Sequence, residues 1–327
     1  MRPGERGYAL LLAIVVIAVL AFSVLAAARV ASDVNASAAR LRDHGDLLAA
    51  ENAATRVAFL VLVQDADGRA VGIGDATRWQ SAGLAFDGRW YAVETAPALH
   101  VALQDEAGLF DLNNPDQSGL ASLLRRSGAG EAAPTLAATL ADYVDGDDLV
   151  RDRGAERAEY RRAGLAPPAD RALATRWQAL EVLGWRAQLL DRSPAWDWLT
   201  AGSAGGGINI NSAPRPVLDA VLDDARLAQA VIERRQVSAL TDPAELEGLI
   251  GAGRVARSAF SLVPGREFRV RAVFSSGGAR HGIERRLELG GEDAMRPFIW
   301  AEQRELRLAP IRDDQTITSL SLAPPAP

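Results

Sequence analysis

The chain opens on seven mixed residues that include Arg2 and Arg6, followed over residues 8–28 by an apolar run that only Ser23 interrupts. Those 21 residues, at about 1.5 Å each in a helix, are enough for the roughly 30 Å hydrocarbon layer of a bilayer. The two arginines ahead of the run favour a short cytoplasmic N-terminus and a translocated body. A secretory signal peptide shares the basic start and would be cut near residues 26–28, but its apolar core usually spans only about 7–15 residues. Here the helical pattern also continues. Residues 29–62 hold no proline and only Gly45, with Val30, Val34, Ala38, Leu41, Leu48, Ala53, Val57 and Leu60 at loosely helical spacing. One long rod leaving a membrane is the expectation.

Beyond the rod, residues 90–95 and 99–104 read as two short strands around Pro97, a hairpin. Residues 105–115 form a turn-rich boundary. From there to about residue 260 the pattern is mostly helical, with helices expected over 120–126, 135–144, 172–183, 217–222, 227–235 and 243–250. Strand character then returns: Phe268, Val270, Ala272 and Phe274 alternate with Glu267, Arg269 and Arg271. Gly277 and Gly278 precede a second strand over 281–289, and residues 304–309 are expected to add a short edge strand. Two separate two-stranded ribbons would each be marginal, so the simplest architecture is one strand domain interrupted by a helical insertion.

Composition narrows the chemistry. Of the 327 residues, 48% are hydrophobic types and 24% charged, ordinary for a globular body. There is no cysteine, which removes disulfides, thiolate nucleophiles and zinc-thiolate sites. The 36 basic and 42 acidic residues are interspersed and give a formal charge of −6, which provides no field for nucleic acid.

A short basic leader ending in Gly7, followed at once by Tyr8 and a long apolar helix, resembles the type IV prepilin class. The resemblance implies cleavage between Gly7 and Tyr8 by a prepilin peptidase, with methylation of the new N-terminus. Most members of that class carry Glu at the fifth mature position, where this chain has Leu12; that departure is shared by the K-type minor pseudopilins of the type II (general) secretion system. A carboxylate inside the bilayer is costly unless partnered, so a subunit with none ahead of it can dispense with one. Further segments resemble the K-type family in the same order: residues 105–114; Asp142, Tyr143, Val144, Asp145, Gly146 and Asp147, with Gly154, Ala155, Glu156 and Tyr160 behind them; 177–184; and 208–214, where Ser212 replaces Thr in an Asn-x-Asn-Thr-Ala motif.

What the resemblance implies is an α+β protein: a leader (1–7), an N-terminal helix with a membrane-spanning first half (8–64), a small α/β pseudopilin domain in two parts (65–111 and 264–310), an inserted helical domain with a helix-hairpin-helix-like part (112–263) and a flexible tail (311–327). It further implies a non-enzymatic subunit in the bacterial inner membrane, single-pass with its body in the periplasm. Such a subunit helps initiate and cap the pseudopilus that exports folded proteins. Its implied partners are the I-type and J-type minor pseudopilins, the inner-membrane assembly platform, the prepilin peptidase and inner-membrane lipid.

Asp142, Asp145, Asp147, Asp148 and Glu156 form the densest acidic cluster. Carboxylate oxygens are hard ligands that suit calcium better than zinc, although the spacing is not that of an EF-hand. A solvated acidic turn facing Arg151, Arg153 and Arg157 explains the same residues, and the K-type resemblance adds structural calcium bound in the helical domain, with more distant acids free to join the shell. Asn211 or Ser212 is expected to cap a helix starting at Pro214 or Arg215. The hairpin of Asp223, Asp224 and Ala225 is acidic and would repel phosphate. His44, His100 and His281 fit no triad or metal spacing, and Gly205, Gly206 and Gly207 lack the Lys of a phosphate loop and read as a flexible linker. The alternatives left open are a membrane-anchored calcium-binding or other protein-binding module, and a hydrolase using Asp142 and Asp145 as paired acids.

Overall fold

The computed structural model describes residues 3–66, 85–114, 116–189, 193–202, 207–255, 260–276, 279–289, 298–308 and 318–320. Helix α1 (Pro3–Ala66) is 64 residues long. Within it, Ile14–Ala58 is long and apolar enough to cross a membrane, with a mean hydropathy of 2.5 in its most apolar window, none of that window buried. Residues 3–7 of the leader, the Gly7–Tyr8 junction and Leu12 lie on the α1 backbone, but their side chains, and residues 1–2 altogether, fall outside the described residues.

Only the far part of α1 packs. Ala50, Ala53, Ala54, Val57 and Ala58 are buried against a sheet, and the small side chains let the helix axis come close to the strands. That sheet combines β1 (Asp87–Val93), β2 (Ala96–Asp105), β7 (Glu267–Ser276), β8 (Ala279–Leu289), β9 (Phe298–Leu308) and β10 (Thr318–Leu320), in the order β10-β1-β2-β7-β8-β9. All pairs are antiparallel except β1 with β10. The register sets Arg269 opposite Arg286 and Arg271 opposite Glu284, so the period-2 alternation read in β7 puts Phe268, Val270 and Ala272 in the core under α1. Between β2 and β7 the chain builds a helical body with its own apolar cluster, which shares no residue with the first.

That body contains the short strand pairs β3 (Phe110–Asp111) with β4 (Leu199–Thr200) and β5 (Ile208–Asn209) with β6 (Phe260–Ser261). Its helices are α2 (Gln117–Leu124), α3 (Ala133–Val144), α4 (Arg157–Arg162), α5 (Trp185–Gln188), α6 (Arg215–Leu222), α7 (Ala225–Val237) and α8 (Pro243–Ile250). The α+β class with a helical body inside a strand framework is as the sequence implied.

Several local readings need correction. The helix expected over 172–183 is a 3-10 helix, Arg176–Glu181, followed by α5. Within it Arg176 and Ala179 are buried, a spacing of three that a 3-10 turn places on one face, and buried Val182 and Trp185 follow it in the extended cap and in α5. The edge strand expected over 304–309 is the longer β9. The tail read as flexible contributes β10, which pairs with β1 through Tyr91↔Thr318 and Val93↔Leu320. Neither Asn211 nor Ser212 caps α6, whose N-cap Pro214 has no side-chain bond; both side chains are engaged elsewhere. Gly205, Gly206, Gly277 and Gly278 lie outside the described residues.

Candidate metal centre

Helix α3 ends where Asp145 turns extended, its N–H still bonded to the Ala141 carbonyl at 3.2 Å. One turn earlier on the inward face, the Asp142 carboxylate is fully buried. The chain then loops out and returns, and Arg151 closes the loop on both acids. Its backbone N–H donates to Asp142 Oδ2 at 3.2 Å and its Nη1 to Asp142 Oδ1 at 2.7 Å, while the same Nη1 also donates to Asp145 Oδ2. Gly154 is required by this closure, since a Cβ there would collide with the Asp142 carboxylate.

Glu156 opens α4. Its N–H donates to Glu159 Oε2 at 3.1 Å, and its own carboxylate, buried at 3% exposed, faces the Glu159 N–H in a loose capping box in which neither oxygen makes a hydrogen bond of normal geometry. Burial first, and then repulsion from Asp142, Asp145, Asp170 and Asp148, pushes its pKa up to about 7. Asp170 arrives from the loop after α4 and takes a positive φ of 50°. Arg157 bridges it to Asp148, at 2.6 and 3.0 Å. One oxygen each of Asp145 and Asp170 is also buried without a partner. Beside Asp145 and Arg151 opens a cavity of about 240 Å³ floored by Leu112, Leu120 and Leu140 and edged by Asn113, Asn114 and Gln117.

Five carboxylates thus converge with only two guanidinium groups among them. The donor set is all oxygen, which suits a hard divalent cation such as calcium, and a buried carboxylate with both oxygens bare is a group that a cation would satisfy. Among the described residues no three His, Asp or Glu side chains stand close enough together to hold a metal ion, and Arg151 already occupies oxygens of Asp142 and Asp145. Asp142, Asp145, Asp148, Glu156 and Asp170 are the residues that would hold the ion. Asp147 points elsewhere, its Oδ1 accepting the Leu149 N–H at 2.8 Å. Asp170 was not singled out from the sequence: it lies 28 positions beyond Asp142, and only the fold brings the two together.

Two further segments noted in the sequence also meet. Asp105, fully buried, accepts from Asn209 Nδ2 at 2.7 Å, Ser212 Oγ at 2.8 Å, and the Ala107 and Gly265 backbone N–H groups at 3.0 Å each. A Cβ on Gly108 would strike the Ser212 backbone. Asn211 spans outward instead, donating to the Leu240 and Leu262 carbonyls and accepting from the Leu240 N–H. The histidines do not assemble: His44 is on α1, His100 on β2 and His281 on β8.

Residues 101–194 match the family model of the Type II secretion system (T2SS), protein K. Among solved structures, a chain of the GspK-GspI-GspJ complex from the enterotoxigenic Escherichia coli Type 2 Secretion System is similar, with 17% identity, 81% of this chain and 97% of that one covered, and a TM-score of 0.49. No curated protein matches.

Proposed function

We propose that this chain, which carries the type II secretion protein K domain over residues 101–194, works as a K-type minor pseudopilin that helps initiate and cap a pseudopilus for the export of folded proteins, without catalysing a reaction. The observation that carries the reading is the combination of that domain with a single apolar helix near the N-terminus. The helix provides an anchor of membrane length, and the domain match runs from the sheet into the helical body. A body of this bulk is tolerated at the end of a helical array and obstructs a repeat. In this reading α1 sits in the inner membrane with the body on the periplasmic side, a prepilin peptidase cuts between Gly7 and Tyr8 and the new N-terminus is methylated, and I-type and J-type pseudopilins pack beside α1 above the assembly platform.

Calcium, held by Asp142, Asp145, Asp148, Glu156 and Asp170, is structural in this reading and supplies charge that lets the buried carboxylates stay ionised. Arg151 bridging Asp142 and Asp145 argues against a hydrolytic acid pair, since both carboxylates are held as hydrogen-bond acceptors. Sedimentation of the detergent-solubilised full chain, alone and mixed with I-type and J-type pseudopilins, tests the assembly. A defined heteromer in the mixture and no polymer from the chain alone is the expected result. Regular homopolymers, or no association, would return the chain to a membrane-anchored binding module. Mass spectrometry of the mature N-terminus checks the processing: a chain starting after Ala28, or an intact Met1, contradicts it.

A further inference from the structure

The helical body covers the face of the sheet opposite α1, and it is held there by charge. Arg269, 1% exposed on β7, donates Nε to Glu106 at 3.1 Å and its remaining nitrogens to the carbonyls of Trp196, Asp197 and Leu199 at 3.3, 3.2 and 2.8 Å. Glu106 in turn accepts from Thr200 Oγ1 at 2.6 Å. On β8, Glu284 accepts from Arg271 Nε at 2.7 Å and from Arg176 of the helical body. Arg271 reaches Asp197 at 2.6 Å, and Arg286 the Ala201 carbonyl at 3.0 Å. At the other end of the contact, Arg235 of α7 lies 3.8 Å from Asp87 of β1. Asp105 binds both points where the chain leaves and re-enters the sheet, through Ala107 and Gly265.

This joint is unlike either core. Apolar contact has no preferred direction and tolerates sliding, whereas a guanidinium offers five donors in a fixed plane and accepts only one arrangement of partners. Burial pulls the Arg269 pKa down to about 10, opposed by Glu106 and Glu284. Burial would raise the Glu284 pKa, but Arg271, Arg176 and Arg269 hold it well below the carboxylate range. Both therefore stay charged across physiological pH. We propose that Arg269 with Glu106, and Arg176 with Glu284, form an orientation lock that fixes the helical body on the sheet in one direction, so that it turns as a single rigid piece with α1. The lock holds whatever the chain assembles with.

The absence of cysteine makes the test clean. Leu41→Cys on α1 and Val237→Cys on α7, both exposed, are spin-labelled in the full chain in phospholipid nanodiscs, and the distance between them is read by pulsed electron spin resonance. The otherwise unchanged chain is expected to give one narrow distribution. Arg269→Met with Glu106→Met, a paired removal that leaves no lone buried charge, is expected to widen it about twofold or more with circular dichroism unchanged. An unchanged width in the folded variant, or a broad distribution before any lock residue is altered, overturns the lock. If circular dichroism shows that the Met pair does not fold, Arg176→Gln with Glu284→Gln is read in the same way: widening supports the lock and an unchanged width overturns it.

Discussion

Two buried polar clusters in the helical body look alike in composition and differ in bookkeeping. At the joint with the sheet, Asp105 receives four hydrogen bonds and Glu106 is paired with Arg269. At the carboxylate centre, Glu156 receives none and is crowded by four other acids. Burying a polar group is tolerable only when its bonds are replaced. The first cluster is therefore complete as protein, whereas the second leaves Glu156 to be satisfied by a proton or, in the proposed reading, by a cation. Saturation of the oxygens, rather than acidity, is what separates the two clusters.

The largest effect is expected from breaking the saturated side. Arg269→Leu leaves Glu106 buried without its counter-charge and should cost about 3–5 kcal/mol, read as a lowered midpoint in urea unfolding of the detergent-solubilised chain. Asp105→Asn replaces one of its two accepting oxygens, each of which receives two hydrogen bonds, with an amide donor that faces donors, and should cost about 1–3 kcal/mol in the same measurement.

The unsaturated side should respond with the opposite sign. Because the folded pKa of Glu156 is raised from 4.5 to about 7, the folded chain holds a proton that the unfolded chain has released between those values. Without metal, stability should therefore fall as pH rises from 4.5 towards 7 and level off above it, by on the order of 1–3 kcal/mol in total. Glu156→Gln should remove that slope and be the more stable protein at pH 7.5 in EDTA. A slope that survives the substitution would assign the titration to another group.

Calcium should raise the melting temperature of the unchanged chain, equivalent to about 2.7 kcal/mol at a hundred times its dissociation constant, and raise that of Glu156→Gln much less. No thermal shift, together with no metal by elemental analysis, would leave Glu156 a protonated core residue. Asp147→Asn should change stability by less than about 0.5 kcal/mol with or without calcium, since its side chain turns away from the centre.

The same contrast explains what could be read without a structure. The rod, the presence of the first hairpin and the inward face of β7 follow from hydrophobic period, which is a local property of the chain, although the turn expected around Pro97 falls at residues 94–95 and Pro97 lies within β2. The outward face of β7 reads as polar, and nothing local tells that Arg269 is buried beneath residues some seventy positions earlier, such as Leu199. Ser212 reads as a helix cap because Ser before Pro is one; its hydroxyl is claimed by Asp105, 107 positions away. Asp170 enters the carboxylate centre through a long-range turn of the same kind. Strand β10 is three residues long and too short to carry a pattern. Local order was legible, and the partners of polar groups were decided by the fold.

Between the apolar run and the sheet, residues 29–49 of α1 form a mostly exposed stretch, with Val30, Val34, Leu41 and Leu48 exposed and Leu47 partly buried against the sheet's core. At about 1.5 Å per residue it is a shaft of about 30 Å. A shaft converts angle into travel: a change in tilt of about 10° at the bilayer, well within the range such helices adopt, carries its far end sideways by about 5 Å. If α1 is anchored as proposed, local bilayer thickness and the company it keeps in the lipid would act as a coarse steering adjustment on where the body stands.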